Sequence, residues 1–285
     1  MAAKSPARPS DPKNNKRLQL STDNEETRLQ QDPTNSLKLY REAAERGVAS
    51  AQYYLGFCYE HGIGIPSDQT EAMRWYKTSA EKGFVKAQFA VGNAYFCGVN
   101  VERDYEEAVR WFGRAAEQGF GEAEFALGRC YFLGLGVEQD MPEARKWFQK
   151  AADKGLAEAQ YQIFRFESNG FCSPKNLPEA MKWLRKAADQ GYALAQYALG
   201  THYQTGKGVD RLPKESVRWL RKAADQGFAE AQFSLAICYE CGFGVPRSIP
   251  KAILSYQMAV DKGHQEAHQN LQILKAKADN TRLRY

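Results

Sequence analysis

Seven glycines, Gly47, Gly83, Gly119, Gly155, Gly191, Gly227 and Gly263, stand at a constant interval of 36 residues. A period of that length describes one small unit that buries its apolar face only by stacking on the next copy, so it decides the fold class before any local propensity does. Four residues after each glycine stands an alanine (Ala51, Ala87, Ala123, Ala159, Ala195, Ala231, Ala267), and four further on an aliphatic residue (Leu55, Val91, Leu127, Ile163, Leu199, Leu235, Leu271). Tyr59, Tyr95, Tyr131, Tyr203 and Tyr239 follow at the same spacing. Steps of four place these rows on one face of a first helix. A second glycine (Gly62, Gly98, Gly134, Gly170, Gly206, Gly242) supplies the left-handed stop that a helix end favours.

A second helix opens with a capping-box signature, Asp68 with Glu71, Asp104 with Glu107, Asp140 with Glu143 and Asn176 with Glu179. Pro142, Pro178, Pro213 and Pro250 lie in its first turn, where a missing amide hydrogen costs little. Its core face carries Ala72, Ala108, Ala144, Ala180, Ser216 and Ala252. Trp75, Trp111, Trp147, Trp183 and Trp219, all the tryptophans of the chain, occupy a single repeat position and read as core. Next comes a ring or leucine (Tyr76, Phe112, Phe148, Leu184, Leu220, Tyr256), then a pair of small residues such as Ala115 and Ala116.

The pattern A-x-x-x-L-G-x-x-Y-x-x-G-x-G-V…D-x-x-E-A-x-x-W-[YF]-x-x-A-A-x-x-G resembles the Sel-1-like repeat family, a relative of the tetratricopeptide repeat. The resemblance implies an all-α, right-handed superhelical α-solenoid and an adaptor role, as in family members that act in protein degradation, chitin synthase regulation, mitochondrial assembly or as bacterial effectors. Residues 34–278 are expected to form the solenoid, six full repeats between half-repeat caps at 35–46 and 264–278. Residues 1–33 are expected to be a disordered tail and 279–285 a second tail. The fourth copy departs from the pattern at Phe164, Glu167 and Cys172, which marks a bend, a partner-specific feature or relaxed selection on one copy.

A charged fraction of 26% and the lack of any run of eighteen apolar residues exclude a membrane span. The N-terminal stretch has no apolar signal core, so the cytoplasm, or the nucleus, is the expected location and the six cysteines are expected to be reduced. Cys58, Cys130 and Cys238 share one repeat position and read as small buried residues. There is no Walker loop or dinucleotide fingerprint, so no catalytic residue, cofactor or metal is assigned. His264 and His268 lack a third ligand. The basic series Arg74, Arg110, Lys146, Lys182 and Arg218, with Arg114, Lys150, Lys186 and Lys222 one turn on, is followed by acids at 117, 153, 189 and 225, which favours a solvated, locally paired face over nucleic-acid binding.

Exposed positions that vary among copies are free to recognise a partner. Tyr53, Phe89, Phe125, Tyr161, Tyr197 and Phe233 are uniformly aromatic and read as packing. The row four residues later and the row seven residues later vary, and both are expected to project from the same side as the aromatic row. They place Phe57, Asn93, Phe96, Arg129, Phe132 and Arg165 in a concave groove, a mixture suited to a protein partner presenting an acidic or amphipathic peptide. The alternative is a small-molecule-binding protein or hydrolase resembling β-lactam-binding members of the family, although the two cysteines per repeat of those members are missing.

Overall fold

The computed structural model describes residues 32–172 and 174–282, with side chains described to 277. The tail expected at 1–33 lies outside them except for Asp32 and Pro33. The described residues form fourteen α-helices and no strand. In chain order these are α1 (Pro33–Glu45), α2 (Ala49–His61), α3 (Gln69–Glu81), α4 (Val85–Cys97), α5 (Tyr105–Glu117), α6 (Gly121–Leu133) and α7 (Met141–Asp153). There follow α8 (Ala157–Asn169), α9 (Leu177–Asp189), α10 (Ala193–Thr205), α11 (Pro213–Asp225), α12 (Ala229–Cys241), α13 (Ile249–Asp261) and α14 (Gln265–Arg282). The even-numbered helices from α2 to α12 are the first helices of the six repeats. Packing divides the chain into two compact units that meet within α5, one ending at Ala115 and one beginning at Ala116. In each, helices pack on their neighbours in chain order, most closely within a repeat: α2 on α3 in the first, α6 on α7, α8 on α9, α10 on α11 and α12 on α13 in the second. This is the α-solenoid arrangement.

The period has a backbone cause. Each glycine of the 36-residue series takes a φ between +81° and +95°, a region in which an L side chain is strained, and each first helix ends on a left-handed glycine. The capping signature forms, but only in part. Asp68, Asp104, Asp140 and Asn176 accept from the amide three residues on, at 3.0, 2.9, 2.9 and 3.2 Å. The returning glutamate of a capping box does not close it, because Glu71, Glu107, Glu143 and Glu179 instead bind the cation three residues on. The cap amide has another acceptor: Asp68, Asp104 and Asp140 donate to the carbonyls of Tyr59, Tyr95 and Tyr131 at 2.9–3.0 Å. An orphan carbonyl at the end of the first helix and an orphan amide at the start of the second thus satisfy each other.

The ring residue of the second helix lies on the glycine face of the first. A Cβ placed on Gly92 would lie 2.6 Å from the Phe112 ring, and one on Gly128 would lie 2.7 Å from Phe148. Trp111 and Trp219 are buried, and Trp75, Trp147 and Trp183 are half-buried. Cys58, Cys130 and Cys238 are fully buried, and burial pushes each thiol up to about 11. In the fourth repeat Phe164 is buried against Tyr161 and His202, and Glu167 is buried and paired with Arg145 at 2.5 Å. α14 runs to Arg282, past the boundary expected at 278.

Candidate functional site

The two variable rows of the first helices do not behave alike. Residues seven positions after the aromatic row share its side, but that side is covered by the ring residue of the second helix. In the first unit Phe89 and Phe96 lie 5.7 and 6.1 Å from Phe112, one on either side of it. Phe96 also meets the edge of Tyr105 at 5.2 Å. In the second unit Phe125 and Phe132 flank Phe148 at 5.6 and 6.5 Å. Phe96 and Phe132, expected to line a groove from the side of the aromatic row, are half-buried in this packing, because a step of seven returns a helical residue close to the face it started from. The uniform aromatic row packs as expected, Tyr53 on Tyr76 and Phe84, Tyr197 on Phe228, and Phe233 on Tyr256.

In the first unit Phe57 is half-buried with its ring 4.1 Å from His61. Asn93 lines a cleft of about 240 Å³ with Glu60, Gln69, Met73, Tyr76, Cys97 and Asn100, which Phe57 does not enter. Asn100 holds φ +61° where most copies have glycine, and its Nδ2 donates to Gln69 Oε1 at 3.1 Å. The Tyr76 hydroxyl donates to Glu60 at 2.5 Å. Burial, reinforced by that carboxylate, holds the phenol well above its usual pKa.

In the second unit Arg129 is exposed on α6. Arg165 is half-buried, its guanidinium donates to Gln162 Oε1 at 3.1 Å and it lies 5.7 Å from the Phe132 ring. Phe171, absent from the sequence-based set, is 43% exposed and packs on Phe132 and Phe166 at 6.3 and 5.3 Å. Its signal was its place directly after the helix-ending glycine, a position that reads Ile63, Val99, Leu135, Phe171, Lys207 and Phe243 across the copies.

The basic series on the second helices is accounted for by local partners. Arg74, Arg110, Lys146, Lys182 and Arg218 pair with the glutamate three residues before. Arg114, Lys150, Lys186 and Lys222 lie over the tryptophan of their own helix at 4.4, 3.8, 4.1 and 4.0 Å, not against the acids three residues on. His264 stacks on Phe233 at 4.3 Å and accepts from the Ala267 amide at 3.3 Å, which caps α14. Among the described residues no helix is long and apolar enough to cross a membrane.

A Sel1 repeat family model matches residues 26–48, 49–84, 85–120, 121–156, 157–192, 193–228 and 229–264. Among solved structures, a Sel1 repeat protein from Oxalobacter formigenes is 37% identical, with a TM-score of 0.77 over 85% of this chain and 71% of that one. The c5321 protective antigen of uropathogenic Escherichia coli, which displays an SLR fold, is 25% identical, with a TM-score of 0.57 over 86% of this chain and 68% of that one. No curated protein matches the sequence. The repeat pattern, the helix pairs it folds into and these likenesses agree, and the chain belongs to the Sel1 repeat family.

Proposed function

We propose that this protein is a non-catalytic interaction scaffold that serves a regulatory or assembly role in the cytoplasm or nucleus. In this reading it binds a partner peptide or domain through side chains of its first helices and of the loop that follows one of them. The reading rests on one observation in the second unit: Arg165 lies over Phe132 beside the exposed Phe171, with Arg129 exposed on the same helix as Phe132. Arginine stacked on an aromatic ring, next to an uncovered ring, is the combination that interface centres favour. It suits a partner segment that carries a carboxylate beside an apolar side chain. Of the sequence-based set, Arg129 and Arg165 keep this role and Phe171 joins them. Asn93 lines its own cleft in the first unit.

The test is affinity capture compared between the wild-type protein and the double variant Arg129→Glu, Arg165→Glu, with identity read by mass spectrometry. Partners retained by the wild type should be lost by the variant while the helical melting curve stays within a few degrees. Equal capture by both proteins would remove this surface from the proposal.

A further inference from the structure

The outer face of the second helix reads as a four-residue stripe at spacings of three, four and three. In five repeats it is acid, cation, then cation or threonine, then acid: Glu71-Arg74-Thr78-Glu81, Glu107-Arg110-Arg114-Glu117, Glu143-Lys146-Lys150-Asp153, Glu179-Lys182-Lys186-Asp189 and Glu215-Arg218-Lys222-Asp225. On α13 the same positions are Lys251, Leu254, Met258 and Asp261. Leu254 is 62% and Met258 42% exposed, and Lys251 and Asp261 are exposed at either end. The tryptophan on which the other copies stack a cation is Ser255 here. The sixth repeat has therefore lost both the ion pair and the indole stack, and shows water an apolar pair between a lysine and an aspartate.

The stripe is complementary to itself. Set two copies of α13 antiparallel about a two-fold axis beside residue 256. Leu254 then faces Met258 of the other copy, and Lys251 faces its Asp261, since each pair of numbers is centred on 256. Applied to the stripes of α5, α7, α9 and α11, the same operation puts acid against acid and cation against cation. On α3 it puts Glu71 against Glu81. Like charges set directly opposite one another repel, so one stripe of the six favours the pairing. A two-fold interface has this form, the same patch on both subunits meeting itself. Lys251 lies 5.7 Å from the Tyr239 ring and Asp261 accepts from Gln257 at 3.0 Å, contacts that leave two of the lysine hydrogens and most of the carboxylate lone pairs available.

We propose that two copies of this chain associate through α13, antiparallel, with Leu254 and Met258 at the centre and Lys251–Asp261 ion pairs at both ends. The footprint of one 13-residue helix is small. The dimer therefore belongs to the weak class that forms below about 1,200 Å² of buried surface.

Sedimentation velocity of the full chain between about 10 μM and about 1 mM brackets a dissociation constant in that range. The wild-type mass should rise from 32.2 kDa towards twice that value. Leu254→Arg with Met258→Lys, which installs the residues of the other repeats, should stay monomeric with an unchanged helical melt. Lys251→Glu and Asp261→Lys should each weaken association at least tenfold. A mixture of those two single variants should form a heterodimer, because each then supplies the charges the other lacks, and the double swap in one chain should restore the homodimer. A wild type that stays monomeric up to the highest concentration overturns the proposal. So does a Leu254→Arg, Met258→Lys variant that still dimerises, or a mixture of single variants that gains no affinity over either alone.

Discussion

Replacing Lys154 by methionine should destabilise the second unit by about 2–3 kcal/mol, far more than an ordinary surface lysine. The reason lies in a row that closes each repeat on the one before. Gln52, Gln88, Gln160, Gln196 and Gln232 are buried, and each donates Nε2 to a carbonyl at the end of the preceding second helix, at 3.1–3.3 Å. The third repeat has Glu124 in this row, and an ionised carboxylate has no hydrogen to donate. Instead Glu124, its side chain 3% exposed, accepts from Lys154 at 2.6 Å, while its other oxygen has no partner. Lys154 also donates to the Gly119 carbonyl at 2.7 Å.

Removing one member of a buried pair strands the other, which costs about 3–5 kcal/mol. Lys154 is 42% exposed, so water screens part of that, hence the lower figure. The variant Glu124→Gln, Lys154→Gln recreates the amide pairs that Gln160 and Gln190, and Gln196 and Gln226, make at 2.8 Å. It should return to within about 1 kcal/mol of the wild type. Urea unfolding followed by circular dichroism checks both, and Lys154→Met should melt about 5–10 °C lower. The reasoning is refuted if Lys154→Met costs less than about 0.5 kcal/mol, or if the double amide variant is as unstable as the single one.

Two alanine substitutions should have opposite signs. Gly92→Ala drives a methyl into the Phe112 ring and should cost about 1–3 kcal/mol, whereas Gly113→Ala, a helical position with nothing within 4 Å, should add up to about 1 kcal/mol. A shift of the same sign at both sites in urea melts would count against the ring-on-glycine packing. His202 has its pKa lowered, chiefly by burial and further by the Lys207 charge, against a hydrogen bond to the Lys207 carbonyl. The unfolded chain then binds the proton more readily, so this contribution is intact above the ordinary histidine value of about 6.5 and erodes as pH falls below it, by at most about 2 kcal/mol at pH 5. His202→Cys, the residue of three other copies, should lose less stability than the wild type between pH 7 and pH 5. Parallel stability–pH curves for the two proteins would refute this.

The sequence alone determined the repeat, its register and its core. Helix packing needs the same small, aliphatic and ring residues at the same phase in every copy, and the φ of the recurring glycines admits no other residue without strain. That is why the tryptophan row, the buried cysteines and the half of the capping box made by Asp68, Asp104, Asp140 and Asn176 were legible from spacing. Variable surface positions carry no such periodic constraint, and there the tertiary structure decided. Phe96 and Phe132 share a face with the aromatic row, but only the packed helix pair shows that Phe112 and Phe148 cover that face. The amide of the capping aspartate finds the carbonyl of Tyr59, Tyr95 or Tyr131 because chain reversal brings two helix ends together, and spacing within one helix does not encode that. Phe171 was hidden in a loop, and Leu254 and Met258 in a helix whose phase looked ordinary. Spacing shows that these positions depart from the other copies, but how far each is exposed is set by the packing around it in the folded chain.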